Sequence, residues 1–208
     1  MDDRVSIRAR FERFPATVKG AFVMRGADGN PHQVRLDEAR VREVAGRGGG
    51  SIGIDPVTLD VAPNLDLFVP FEFGLTDLEA GWYGLECRIA IDGDPTVVRP
   101  GRRFAVPWPR ATVRRGAITL GKTAQVGGGP KVKLERVDLG GDSIKVQYAS
   151  PSPVDVKLTA DGSQVAVLET EFDDAGAKGR VVAYPLLKSQ TVLTIEVKGA
   201  APVDVKLD

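Results

Sequence analysis

Leu78-Glu79-Ala80-Gly81-Trp82-Tyr83-Gly84-Leu85-Glu86-Cys87-Arg88-Ile89-Ala90-Ile91-Asp92 is the stretch that decides the fold. From Tyr83 onward it alternates strictly: Tyr83, Leu85, Cys87, Ile89 and Ile91 fall on one face of an extended chain, and Gly84, Glu86, Arg88, Ala90 and Asp92 on the other. A sustained period of two is the mark of a half-buried β-strand, and Leu78-x-x-Gly81-x-Tyr83 is the turn that feeds it.

The same alternation recurs on both sides of this strand. Upstream, Val5/Ile7/Ala9/Phe11, Val57/Leu59/Val61 and Leu65/Leu67/Val69/Phe71/Phe73 read as strands, Ala27-Asp28-Gly29-Asn30 reads as a hairpin turn, and Phe104/Val106 closes the half. The stretch from Asp37 to Ala45 suits a helix, with Asp37 as N-cap and Gly46 as the stop, nearly as well as it suits a strand. Arg47-Gly48-Gly49-Gly50 after it reads as a mobile surface loop or hairpin tip. Downstream, Val132/Leu134, Ile144/Val146/Tyr148, Val154/Val156/Leu158, Val165/Val167, Val181/Ala183, Leu193/Ile195/Val197 and Val203/Val205/Leu207 alternate with polar residues, with Asp161-Gly162 suited to a tight hairpin. Pro107-Trp108-Pro109 interrupts the pattern, because proline cannot continue a ladder, and Trp108 between two prolines predicts a stiff joint. The hexapeptide Pro153-Val-Asp-Val-Lys-Leu158 returns as Pro202-Val-Asp-Val-Lys-Leu207. Its flanks do not match, so two strands in equivalent half-buried settings explain it better than a repeat array.

With 208 residues, the chain can bury a core without staples. Cys87 is the one cysteine, so no intrachain disulfide forms, and a reducing compartment is expected. The first residues form an amphipathic strand pattern with no apolar leader, and no run is long enough to span a bilayer. The resulting expectation is a cytoplasmic protein that does not engage membranes. The wealth of Arg, Ala, Gly and Val suits a high-GC bacterial source. Net charge is zero, yet Gly50 to Asp94 holds nine acids and one base, and Pro95 to Leu134 holds nine bases and no acid. The basic run nominates Arg99, Arg102, Arg103, Arg110, Arg114 and Arg115 as contacts for an anionic or protein partner. Few aromatics and a pI near 6.6 argue against nucleic acid.

Two catalytic signatures match in letters only. Gly49-Gly50-Ser51-Ile52-Gly53 fits a nucleophile elbow, but Pro56 opens a strand where a helix is required, and His32 is the sole candidate base. Gly48-x-Gly50-x-x-Gly53 has the spacing of a dinucleotide loop without a βαβ unit around it. Metal ligation is left to carboxylates, Asp92 and Asp94 or Glu169, Glu171, Asp173 and Asp174, and neither set has the spacing of a calcium loop. No cofactor, no metal and no catalytic set is expected.

The motif Leu78, Gly81 and Tyr83 resembles the tyrosine corner of immunoglobulin-like and fibronectin type III-like sandwiches, in which the tyrosine hydroxyl bonds upstream backbone. The second half has only Leu187-x-x-x-Thr191-x-Leu193 at the matching place. In antibody-type domains a cysteine lies two residues beyond the tyrosine; Cys87 lies four beyond and has no mate, which points to the disulfide-free varieties. The resemblance implies an all-β chain of two tandem antiparallel Ig-like β-sandwich domains, 1–108 and 112–208. The function expected is that of a non-enzymatic intracellular protein-interaction or scaffold protein. A structural subunit of a larger assembly, such as a phage-tail-like or injection-machine component, and a carbohydrate- or calcium-binding module are the alternatives. Homo-oligomers through edge strands would serve the assembly reading.

Overall fold

A computed structural model describes residues 3–46 and 48–207, and every regular element among them is a strand. The chain divides into two compact units, Met1–Val106 and Pro107–Asp208. Trp108 thus goes with the second unit, where its indole meets Tyr184 edge-on at 5.5 Å.

The first unit is an immunoglobulin-like sandwich. Its strands are β1 (Val5–Arg13), β2 (Thr17–Gly26), β3 (His32–Glu43), β4 (Gly49–Ile52), β5 (Val57–Val61), β6 (Leu67–Gly74), β7 (Gly81–Ile91), β8 (Asp94–Val98) and β9 (Phe104–Val106). One sheet runs β1-β2-β6. The other runs β4-β3-β7-β8, with β5 beside the first half of β3 and β9 beside the start of β7. The alternating apolar residues of β2, β3, β6 and β7 meet between the sheets, and Phe104 packs against Phe11, Phe73 and Tyr83.

Residues 37–43 are strand, not helix, and the reason is a bulge. Pairing of β3 with β7 slips between Leu36 and Glu38, so Val34 and Leu36 point inward before the slip, and Ala39 and Val41 after it. The three-residue step from Leu36 to Ala39 imitates helical spacing in the sequence. Simultaneous pairing with β4, β5 and β7 then outweighs any local helical preference. Gly49 and Gly50 likewise lie in β4, with the hairpin tip closed by Glu43 N–H donating to Gly48 O; Arg47 lies outside the described residues.

Tyr83 is 2% exposed, and its hydroxyl donates to the Glu79 carbonyl at 3.0 Å, the bond that defines a tyrosine corner. Burial, followed by the nearby Glu43 and Glu79 charges, pushes its pKa up, so the phenol stays a donor at neutral pH. Tyr83→Phe keeps the ring and removes the bond, and should lower the stability of the first unit by about 1–2 kcal/mol in urea denaturation. An unchanged urea midpoint would show that the corner holds without the hydroxyl.

The second unit comprises β10 (Gly116–Gln125), β11 (Lys131–Leu139), β12 (Ile144–Ala149), β13 (Val156–Ala160), β14 (Ser163–Gln164), β15 (Val167–Asp173), β16 (Lys178–Ala183), β17 (Val192–Val197) and β18 (Val203–Lys206). The sheets run β10-β11-β12-β16-β15 and β14-β13-β17-β18. The two copies of the hexapeptide contribute to the strands on either side of β17, offset by four residues: Val156 pairs with Val197, and the corresponding Val205 pairs with Leu193. Asp161 sits at positive φ in the hairpin between β13 and β14, and its carboxylate accepts from the amides of Thr191 and Val192. β18 is an edge strand, as read, but Lys122 Nζ donates to its Asp204 carbonyl at 2.6 Å and blunts that edge.

Candidate functional site

The ladder along β7 is complete on one side only. β3 covers Tyr83 to Ile91. On the opposite side β9 pairs Gly81 to Tyr83 and β8 pairs Cys87 to Ile91, and no strand among the described residues covers Gly84, Leu85 and Glu86. The chain between β8 and β9, Arg99-Pro100-Gly101-Arg102-Arg103, bulges away from this gap. Pro100 is buried, and Gly101, at φ 87°, lies so close to β1 that a Cβ there would stand 2.8 Å from the Ala9 Cβ. The bulge is thereby pinned open. The resulting cleft of about 460 Å³ is lined by Arg42, Glu86, Arg99, Pro100, Gly101 and Arg103.

Glu86 forms the floor. It points from the face of β7 away from the core, yet is only 3% exposed, because three guanidiniums close over it. Arg40 donates through Nε at 2.7 Å and also through Nη2; Arg99 donates through Nε at 2.9 Å, and Arg42 through Nη1 at 3.3 Å. Burial alone would raise the Glu86 pKa; the bonds from Arg40, Arg99 and Arg42 outweigh it and hold the value at about 2. Its contribution to stability is thus present above the ordinary carboxylate range and lost as pH falls toward 2. One buried carboxylate against three arginines, of which Arg42 and Arg99 are 52% and 70% exposed, leaves the surface of the cleft positive. Glu43, the second acid here, is buried as well.

Of the six arginines nominated by the basic run, the structure brings Arg99, Arg102 and Arg103 together in the bulge of the first unit. Arg110, Arg114 and Arg115 belong to the second unit. Arg114 is committed internally, donating to the carbonyls of Lys188 and Gln190, and the Arg115 guanidinium lies against Gly141. Arg110 is exposed. Arg40, Arg42 and Glu86 escaped the sequence reading. Their signal was Arg40-x-Arg42 on one face of a strand, hidden by the helical reading of that segment.

No family model matches the chain, and no curated protein does. Solved structures similar to it include a marsupial T cell receptor, 14% identical over 99% of this chain and 63% of that one, TM-score 0.29. A conserved domain protein from Bacillus anthracis is 11% identical over 100% and 88%, TM-score 0.36. The C-terminal domain of the Streptococcus pyogenes antigen I/II-family protein AspA is 12% identical over 96% of each chain, TM-score 0.25. None of these likenesses carries a function across.

The two catalytic letter-matches dissolve in the structure. Gly49 to Ile52 is a strand, and His32 is engaged at both ring nitrogens, Nε2 with Asp28 at 2.8 Å and Nδ1 with Asp92 at 2.7 Å. Only the imidazolium can donate to both carboxylates at once. Those bonds, Asp28 first and Asp92 second, raise the His32 pKa, and the bond from His32 brings Asp28 down to about 2. The sign follows from linkage. The histidine's contribution is full below its ordinary value and is lost as pH rises through the raised one, whereas the aspartates contribute above their ordinary range. The network is strongest from about pH 4 to 6.5. Thermal melts should show stability falling above that window in the native chain and a flatter profile in His32→Gln; parallel profiles would contradict this. Among the described residues no group of three or more His, Cys, Asp and Glu is placed to hold a metal. Glu171 is paired with Arg180, and Asp173 caps the amide of Ala175.

Proposed function

We propose that this chain is a non-enzymatic protein-interaction module whose contact surface is the cleft at the gap in β7. The observation that carries the reading is the three-residue break in pairing at Gly84 to Glu86. A sheet interior normally leaves no backbone uncovered, and here a bulge pinned by Gly101 keeps a stretch of it open beneath exposed arginines. Arginine on a preformed, partly desolvated surface is the residue type that anchors protein contacts. A cytoplasmic setting suits the buried Cys87 thiol, pushed up to about 12 by burial and then by Glu86, which makes it inert as a nucleophile. A photo-crosslinking side chain at Arg102, compared with one at Lys157 in the second unit, tests the proposal in a lysate of the source cells. A partner trapped from Arg102 and absent from Lys157 supports it. Equal trapping from both positions, or none from either, removes it.

A second reading, a structural subunit that self-associates, rests on Leu65 and Phe68, which are 55% and 57% exposed beside and on the edge strand β6. Light scattering of the purified chain over a wide concentration range decides it: a constant monomer mass rules out assembly through this edge.

A further inference from the structure

The chemistry of the cleft goes beyond a general contact surface. We infer that it is a carboxylate-reading site, which takes an acidic side chain from an extended peptide segment of the partner and sets it against Arg42, Arg99 and Arg103. This inference rests on the interaction reading given above. Three features of the cleft support it. First, two of the guanidiniums are anchored before any ligand arrives: Glu86 accepts from Arg99 through Nε at 2.9 Å and, more loosely, from Arg42 through Nη1 at 3.3 Å. A guanidinium held by one edge still offers further N–H groups to a second carboxylate, and the fork geometry favours two parallel bonds. Second, the charge is lopsided in depth. The two acids of the cleft, Glu43 and Glu86, are buried, whereas Arg42 and Arg99 are half-exposed or more, so an incoming group meets positive charge first. Third, β8 and β9 flank the gap at both ends, so a whole added strand cannot lie along β7 there. The opening admits a side chain and its neighbours from a segment crossing above it, and Gly84, which has no side chain, leaves the floor low beside Glu86.

Glu86 is on this account a positioning residue, and that gives a result plain electrostatics does not. Glu86→Gln makes the cleft more positive by one charge, which by itself would tighten binding of any anion. If the arginines read carboxylate geometry, the same change loosens their anchoring and weakens binding.

The probe is a fluorescent Glu-rich dodecapeptide, read by anisotropy on the full chain against a Gln-rich peptide of equal length. Binding of the acidic peptide only is expected, weakening about tenfold in Arg99→Gln and further in the Arg99→Gln/Arg103→Gln pair. Glu86→Gln should lower the melting temperature, because it breaks the buried ion pairs, and should weaken binding several-fold in the molecules that stay folded, whereas Lys19→Gln, a charge removed from the other sheet, should leave binding as it was. Tighter binding in Glu86→Gln, or equal loss from Lys19→Gln, would overturn the inference in favour of diffuse charge attraction. Displacement of the peptide by inorganic phosphate, at concentrations where sodium chloride of equal ionic strength has no effect, would overturn it in favour of a phosphate site. Should Glu86→Gln fail to fold, the arginine variants decide alone. A partner trapped at Arg102 through an uncharged segment would leave the interaction reading standing and overturn this one.

Discussion

Gly179→Ala will destabilise the second unit by about 3 kcal/mol, although alanine in place of a strand glycine normally stabilises. Gly179 lies in β16 between Tyr148 on β12 and Phe172 on β15, and pairs with both. The two rings stack at 6.4 Å, and the Tyr148 ring crosses the backbone where a side chain would stand, so a Cβ at 179 would overlap Cζ and Oη of the tyrosine. Tyr148 is 1% exposed, so its ring is held in the core rather than at the surface. Overpacking costs 1–3 kcal/mol where neighbours can give, and the upper end applies where they cannot. Tyr148→Leu, costly by itself because it leaves a cavity, should relieve the clash, so that Gly179→Ala costs roughly 1 kcal/mol or less in that background. Urea denaturation of the four chains gives the coupling. Additive losses would mean the glycine is present for some other reason.

Gly101→Val is the second large effect, and it links the fold to the site. At φ 87° a β-branched side chain is strained by about 1–3 kcal/mol whatever surrounds it. Here the Cβ also meets Ala9 of β1, 2.8 Å away. The bulge must therefore lift off β1 and carry Arg99 and Arg103 with it. We expect a loss of about 3 kcal/mol in the first unit, together with at least a tenfold loss of acidic-peptide binding in the molecules that remain folded. Arg102→Ala, on the same bulge but exposed, should change stability by less than roughly 0.5 kcal/mol. Loss of stability without loss of binding in Gly101→Val would show that the bulge does not set the cleft.

Much of this architecture was written in local patterns. The alternation from Tyr83 to Ile91 and the spacing of Leu78, Gly81 and Tyr83 gave the central strand and its corner, because burial on one face imposes a period of two irrespective of partners. The hexapeptide repeat was legible for the same reason: its copies flank β17 four residues apart in register, an even offset that keeps the same residues facing inward. The reading failed where structure depends on pairing across the sheet. A bulge at Asp37 shifts the inward face by one residue and so writes a helix-like spacing into a strand. The site was half legible. Arg99, Arg102 and Arg103 stood out as charge, yet nothing local shows that β8 and β9 part company opposite Gly84 to Glu86. Glu86 read as one more outward residue, and only the arrival of Arg40 and Arg42 from β3 and of Arg99 from the bulge buries it. Arg114, in the same basic run, turned out to hold the backbone of Lys188 and Gln190, a role that charge alone does not distinguish from binding.

Amide hydrogen exchange along β7, residue by residue, tests the central claim most directly. In the free chain, amides of Gly84, Leu85 and Glu86 that point away from β3 should exchange orders of magnitude faster than those of Ile89 and Ile91, and should slow when the partner trapped at Arg102 is bound. Uniform protection from Gly81 to Ile91 in the free chain, or exchange at the gap untouched by that partner, would contradict the gap as the contact surface.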